Sequence, residues 1–350
     1  MDTASATRPE AADRVRLQQM LDELVAAGAM GALAQFRDGD SIWAGSSGVA
    51  ELGSERPLVP DGWFRIGSVT KTFTAALILQ LAGEGRLGLD DGLDRWLPGL
   101  VPGDGEITLL RLLDHTSGLY NYTDDLDAAG ILRNRSAYWS PQQVVAMATK
   151  HEPRFPPGTS RAYCNTSYIL LGMVIEKVTG SSYDAEVKRR ILQPLNLRQT
   201  LAPGDAEVLP EPHARGYLML DGQPVDITTI NTSQAWAAGG MVSTAGDLNQ
   251  FFRALLAGGL LRSSELRAMQ TTIPTAELVV DGGLGVAQVT LPYGGVLWGK
   301  DGGAYSYHTL SFHTVEATRQ LTVSITVTAT ARPATHELLT SVASVFSPGR

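Results

Sequence analysis

The sequence predicts a mixed α/β (α+β) fold. One lobe is built from both ends of the chain around an antiparallel sheet, and a mainly helical lobe is inserted between its halves. Three observations carry that reading. Residues 10–48 hold an amphipathic helix followed by a hairpin pattern, residues 71–235 are mostly helical pattern broken by Pro and Gly, and the chain after 283 alternates as strands before a last helix. The ranges assigned are 1–70 and 236–350 for the sheet-bearing lobe and 71–235 for the helical one.

Each element has a local reason. Across 10–27, Leu17, Met20, Leu21, Leu24 and Val25 recur at helical spacing, and Gly28 stops the run. "ALAQFRDGDSIWAGSSG" (32–48) reads as two short strands around Asp38-Gly39. From Ser68, "SVTKTFTAALILQLAGEG" has helical length and ends in Gly83 and Gly85. Further helices are expected at 107–115, 141–150, 167–179 and 183–193, with the loops "DHTSGLYNYTDD" and "RFPPGTSRAYCN" among them. Thr244 and Asp247 have capping-box spacing before a helix ending near Gly258. "GLGVAQVTL", "GGVLWGK", "SYHTLSFHT" and "LTVSITVTA" are spaced as an antiparallel meander, and 335–346 reads as the closing helix.

Composition narrows the function. The chain has 350 residues, 43% hydrophobic and 18% charged, enough for a large core. A net charge of −8 with no basic run excludes nucleic acid and anionic membranes as expected partners. The single cysteine, Cys164, leaves no disulfide framework and no zinc site of several thiolates. The apolar run 24–34 is too short to span a bilayer and follows Asp22-Glu23 rather than basic residues. No signal peptide or membrane anchor is read there, so the chain is expected to be cytoplasmic, or secreted if a leader was removed.

The chemistry centres on Ser68 and Lys71. Three apart on a helix, their side chains share a face within one turn. A serine hydroxyl needs a base, and a lysine amine becomes one only where its surroundings favour the neutral form. There are only five lysines, and Lys300, at the end of a strand before Asp301, Gly302 and Gly303, is a candidate second cation beside the first. Paired glycines permit close backbone approach. "RAYCNTS" adds Tyr163, able to shuttle a proton, and Asn165, able to hydrogen-bond substrate and lysine.

The order Ser68-x-x-Lys71, Tyr163-x-Asn165, Lys300-x-Gly302 resembles that of the penicillin-recognising serine enzymes: D-alanyl-D-alanine carboxypeptidases, class C β-lactamases and related esterases. "FRIGSVTKTFTA", "LLDHTSGLYNYT", "YCNTSYILLGMVIEKVTG", "PLNL" and "AGGMVSTAGDLNQFF" are similar to family blocks, so the likeness covers about residues 30–345. The resemblance implies a β-lactamase/transpeptidase-like fold with the site between its two lobes, and no cofactor or metal. It implies Ser68 as the acylated nucleophile, Lys71 as its base partner, and Tyr163 as proton donor to the leaving group. By the same likeness Asn165 contacts the acyl amide, Lys300 and Gly302 form the third motif, and the N–H groups of Ser68 and Gly303 form the oxyanion hole. His115 is read as structural.

One departure shapes the expected substrate. Carboxypeptidases must bind a free carboxylate, best done by Arg or several hydroxyls. From Ala268 to Thr318 the only cation is Lys300, and Asp301 beside it offsets its attraction for an anion. A small-molecule or short-peptide acyl donor that is a neutral ester or amide is therefore expected. Water, or an amine or alcohol acceptor, would capture the acyl group, the latter making the chain an intracellular transacylase. The competing readings are a non-catalytic penicillin-binding sensor, a Ser-His-Asp hydrolase and a metallo-hydrolase. No Gly-x-Ser-x-Gly occurs, and His308 and His313, five apart, fall on opposite faces of a regular strand.

Overall fold

The computed structural model describes residues 11–102, 106–273, 279–280, 282–291, 294–327, 342 and 344–346. Helix α1 (Ala11–Ala26) buries Leu17, Met20, Leu21 and Leu24, as the spacing predicts, and Gly28 turns the chain at φ +106°. Strands β1 (Ala29–Asp38) and β2 (Ser41–Gly48) follow, joined through Gly39 at φ +56°. The hairpin is where the sequence puts it, with β1 starting three residues earlier.

The C-terminal strands are β3 (Val279–Val280), β4 (Ala287–Thr290), β5 (Val296–Ala304), β6 (Tyr307–Thr314) and β7 (Arg319–Val327). One seven-stranded antiparallel sheet runs β2-β1-β7-β6-β5-β4-β3. Pairing of β1 with β7, from Ala29 with Val327 to Asp38 with Arg319, joins the two ends of the chain. The predicted meander is present, with β3 added. Lys300 lies inside β5 rather than at its end. The β5–β6 turn falls at Tyr305 and Ser306 because Ala304 pairs with Tyr307, and Tyr305 takes φ +57°.

Side chains alternate across this sheet. Leu310, Phe312, Leu321, Val323, Ile325 and Val327 form one buried cluster with α1, Val342, Val345 and Phe346. Each such side chain contributes roughly 1.5–3 kcal/mol on burial. The opposite face of β6 and β7 is polar and equally buried. Ser311 Oγ lies 3.0 Å from His313 Nε2 and 2.7 Å from Thr322 Oγ1, and Gln320 Nε2 lies 3.1 Å from His313 Nδ1. Burial pushes the His313 imidazole down to about 3. The predicted helix 335–346 falls largely outside the described residues.

A second, larger core contains the helices. The central helix α2 (Thr70–Gly83) is buried on almost every side, and α3 (Asn165–Thr179) packs against it. Helices at Leu109–Leu113, Pro141–Ala148 and Tyr183–Val187 match expected segments. A small hairpin, Tyr217–Leu220 with Gln223–Asp226, does not. Thr244 caps its helix by accepting from Asp247 N–H, but the Asp247 carboxylate accepts from Gln199 N–H and Thr200 Oγ1 instead, so only half of the expected box forms.

Candidate active site

Ser68 sits on a single 3-10 turn, Gly67–Val69, that leads into α2. The turn is pressed against β5. A Cβ on Gly67, itself at φ +52°, would lie 2.6–2.8 Å from backbone atoms of Gly303, and one on Gly302 would lie 2.1 Å from the Ile66 carbonyl and 2.8 Å from Ser68 N. Only glycine fits at either position. The glycines expected to admit substrate thus also admit the turn that carries Ser68.

One turn further, Lys71 is fully buried. Its Nζ donates to Asn165 Oδ1 at 2.7 Å and to the Ala238 carbonyl at 2.6 Å, and lies 3.2 Å from Ser68 Oγ. Both partners at the shorter distances are pure acceptors, so two N–H bonds are committed there. The third position on Nζ faces the serine hydroxyl. Tyr163 Oη also stands 2.6 Å from Ser68 Oγ. Lys71 Nζ is 4.8 Å and Lys300 Nζ 5.6 Å from the centre of the Tyr163 ring, so the ring lies close to two amines. Lys300 is buried, and its Nζ donates to Asp301 Oδ1 at 3.2 Å.

The loop before α3 is held by groups that the sequence did not single out. Asn121 Oδ1 accepts from Asn165 N at 2.9 Å and from Asn165 Nδ2 at 3.1 Å, and Thr123 Oγ1 accepts from Asn165 Nδ2 at 3.1 Å. The Asn165 carboxamide is therefore oriented with its oxygen toward Lys71. One lone pair of that oxygen remains for a substrate N–H. His115, at φ +65°, accepts from Cys164 N–H through Nδ1 at 3.2 Å and lies 4.6 Å ring to ring from Tyr163. This is a supporting position, in keeping with its structural reading. Cys164 is buried with its thiol donating to the Leu119 carbonyl at 3.5 Å. "HTSGLYNYT" carried the signal for Asn121 and Thr123, but no spacing rule links them to residue 165.

A cavity of about 450 Å³ opens over Ser68. Asn165, Gly303 and Tyr305 border it, with Leu126, Ile131 and Leu218 as apolar wall. Among the described residues its lining carries no charged side chain. Such walls offer no cation to a free carboxylate, which suits a donor that lacks one. The six sequence-expected residues Ser68, Lys71, Tyr163, Asn165, Gly302 and Gly303 surround one point, and Lys300 stands behind Tyr163.

Comparison with known proteins gives a consistent picture. The model of the Beta-lactamase family matches residues 17–343. Penicillin-binding protein 4 of Amycolatopsis lactamdurans is 34% identical over 242 residues, covering 65% of this chain and 60% of that protein. The chain spans less than two thirds of the length of such curated relatives. A D-stereospecific amidohydrolase from Streptomyces sp. is 40% identical with a TM-score of 0.88, covering 96% of this chain and 99% of the other. A D-amino acid amidase from Ochrobactrum anthropi, in complex with D-phenylalanine, is 27% identical with a TM-score of 0.85, over 97% of this chain and 100% of the other.

Proposed function

Since the chain belongs to the Beta-lactamase family, we propose that it is a serine acyl-transfer hydrolase that forms an acyl-enzyme on Ser68 from a neutral ester or amide. The observation that carries this reading is the convergence of Lys71 Nζ at 3.2 Å and Tyr163 Oη at 2.6 Å on Ser68 Oγ inside an open cavity. Ser68 Oγ attacks the donor carbonyl while its proton moves to Lys71 Nζ, whose other two bonds fix the direction of the lone pair. The carbonyl oxygen becomes an oxyanion held by the N–H groups of Ser68 and Gly303, each worth about 2.7–4 kcal/mol in a comparable hole. Tyr163 gives its proton to the departing nitrogen or oxygen and is reprotonated from Lys71. Water then attacks the ester, a proton passes back through Tyr163 and Lys71, and Ser68 regains its hydrogen. An amine or alcohol entering in place of water would make the same step a transacylation. With Lys71 and Tyr163 both within bonding distance of Ser68 Oγ, the machinery favours turnover over a sensor that merely holds its ligand.

The Lys300–Asp301 pair favours a leaving group without a free carboxylate. The D-stereospecific amidohydrolase and the D-amino acid amidase among the similar structures support a D-configured aminoacyl donor. Ammonia and methanol release from the amides and methyl esters of D- and L-phenylalanine tests this. The D forms should be turned over at least about tenfold faster, and Ser68→Ala should release neither product. Equal rates for the two enantiomers would remove the stereochemical reading, and activity in Ser68→Ala would remove the mechanism.

A further inference from the structure

Lys71 points its third position at Ser68 only while Asn165 and Ala238 both face it with oxygen. The Ala238 carbonyl has no alternative. The Asn165 carboxamide has one: turned over, it would present Nδ2 to the amine. A cationic Lys71 resists this, because an ammonium only donates. The neutral amine that takes the serine proton can accept a bond as readily as give one. Its lone pair would then be drawn to Asn165 and away from Ser68. In the neutral state, therefore, Asn165 must be held from behind.

Behind it stand Thr123 and Asn121. The Thr123 hydroxyl can donate or accept, so it does not choose an orientation. The Asn121 carboxamide does, provided that it is itself fixed. Its Oδ1 accepts at 2.9 Å from Asn165 N–H, which can only donate, and its Nδ2 donates at 2.8 Å to Asp124 Oδ1, which can only accept as a carboxylate. The bonds of Asn121 to Thr123 Oγ1 and Asn165 Nδ2 could reverse together with it. Asp124 lies on the single 3-10 turn Tyr122–Asp125 and is anchored in its turn. Its other oxygen accepts from Arg154 Nη2. Arg154 N–H donates to the Gly118 carbonyl at 2.8 Å, and the guanidinium lies 5.5 Å from the centre of the Tyr120 ring. Arg154, Asp124, Asn121, Asn165 and Lys71 thus form one chain of hydrogen bonds from the surface to Ser68.

We infer that Asp124 is a positioning residue for the base: by accepting from Asn121 it keeps the Asn165 oxygen on Lys71, and so keeps the lone pair of the neutral amine on Ser68. Asp124 does not line the cavity over Ser68 and acts only through Asn121. The inference rests on the acyl-transfer reading above and adds a residue which that reading does not use. The test compares Asp124→Leu with Asp124→Asn. Both remove the charge and the ion pair with Arg154, but only asparagine keeps an oxygen able to accept from Asn121. For methanol release from D-phenylalanine methyl ester, kcat/KM should fall at least about tenfold in Asp124→Leu and stay within about threefold of wild type in Asp124→Asn. Both variants should melt cooperatively; if leucine prevents folding, Asp124→Ala takes its place with the same expectation. Equal losses in the two variants would assign the effect to the charge or the ion pair, and full activity in both would leave Asp124 no part. Either result overturns the positioning role while wild-type turnover keeps the acyl-transfer reading. A wild type that releases no methanol from the D or the L ester would overturn that reading, and the role of Asp124 with it.

Discussion

Ser68 and Ser311 each stand beside a nitrogen base, and they differ in almost everything else. Ser311 Oγ is 3.0 Å from His313 Nε2, and Ser68 Oγ is 3.2 Å from Lys71 Nζ. The first pair is sealed between β6 and α-helical side chains, with Gln320 rather than a carboxylate on the other ring nitrogen and Phe252 stacked at 4.6 Å. Its imidazole, driven down to about 3 by burial, has little affinity for a proton at neutral pH. The second pair opens on a cavity, and a second hydroxyl, Tyr163 Oη, stands 2.6 Å from Ser68 Oγ. Hydrogen-bonded pairing with a nitrogen base is therefore common to both, and what the proposed mechanism needs besides, access for a substrate and a route for the proton, is found only at Ser68 of the two.

The widest separation of the two pairs should come from removing each serine. Ser68→Ala should lower kcat by at least about 10⁴-fold, as loss of a nucleophile does elsewhere, with little change in melting temperature. Ser311→Ala should leave kcat within about threefold but strip His313 and Thr322 of a buried partner, at about 1–3 kcal/mol. Activity assays and thermal melts on both variants check this, and a catalytic loss in Ser311→Ala would break the contrast. Tyr163→Phe tests the second proton carrier. It should cost about 10²–10⁴-fold in kcat, most on donors with poor leaving groups.

A smaller effect distinguishes the pairs by pH. His313 has a folded value near 3 against an ordinary one near 6.5, so the unfolded chain binds the extra proton between those limits. Its contribution is present above about pH 6.5 and is lost as pH falls toward 3, with a slope of at most about 1.4 kcal/mol per pH unit. Denaturant titrations of wild type and His313→Gln should therefore converge on acidification; a constant difference would count against a neutral buried imidazole. The smallest effect belongs to Asp301→Asn. With Asp301 partly exposed, the pair with Lys300 is worth at most about 1 kcal/mol, so affinity for donors with a free carboxylate should improve no more than about fivefold.

How far the sequence revealed this arrangement depended on distance along the chain. Ser68 and Lys71 were legible because helical spacing alone puts them on one face. Tyr163 and Lys300 needed the resemblance, since nothing local ties them to residue 68. Lys71's carbonyl partner at Ala238 was invisible, because a backbone oxygen leaves no mark in residue identity. Asn121 and Thr123 were hidden for a related reason: they act on Asn165 from a loop more than 40 residues upstream. Gly67 and Gly302 look like ordinary turn or strand glycines until two backbones are seen to touch. The hairpin at Tyr217–Leu220 did leave a signal, Asp221-Gly222 with φ of +50° and +77°, which the helical reading of 71–235 passed over.

The most direct measurement is peptide mapping by mass spectrometry after rapid acid quench of the enzyme with D-phenylalanine methyl ester. The acyl group is expected on the peptide containing Ser68, and it should be absent from the Ser68→Ala protein. Acylation at another residue, or undiminished turnover without Ser68, would contradict the assignment of the nucleophile and every role derived from it.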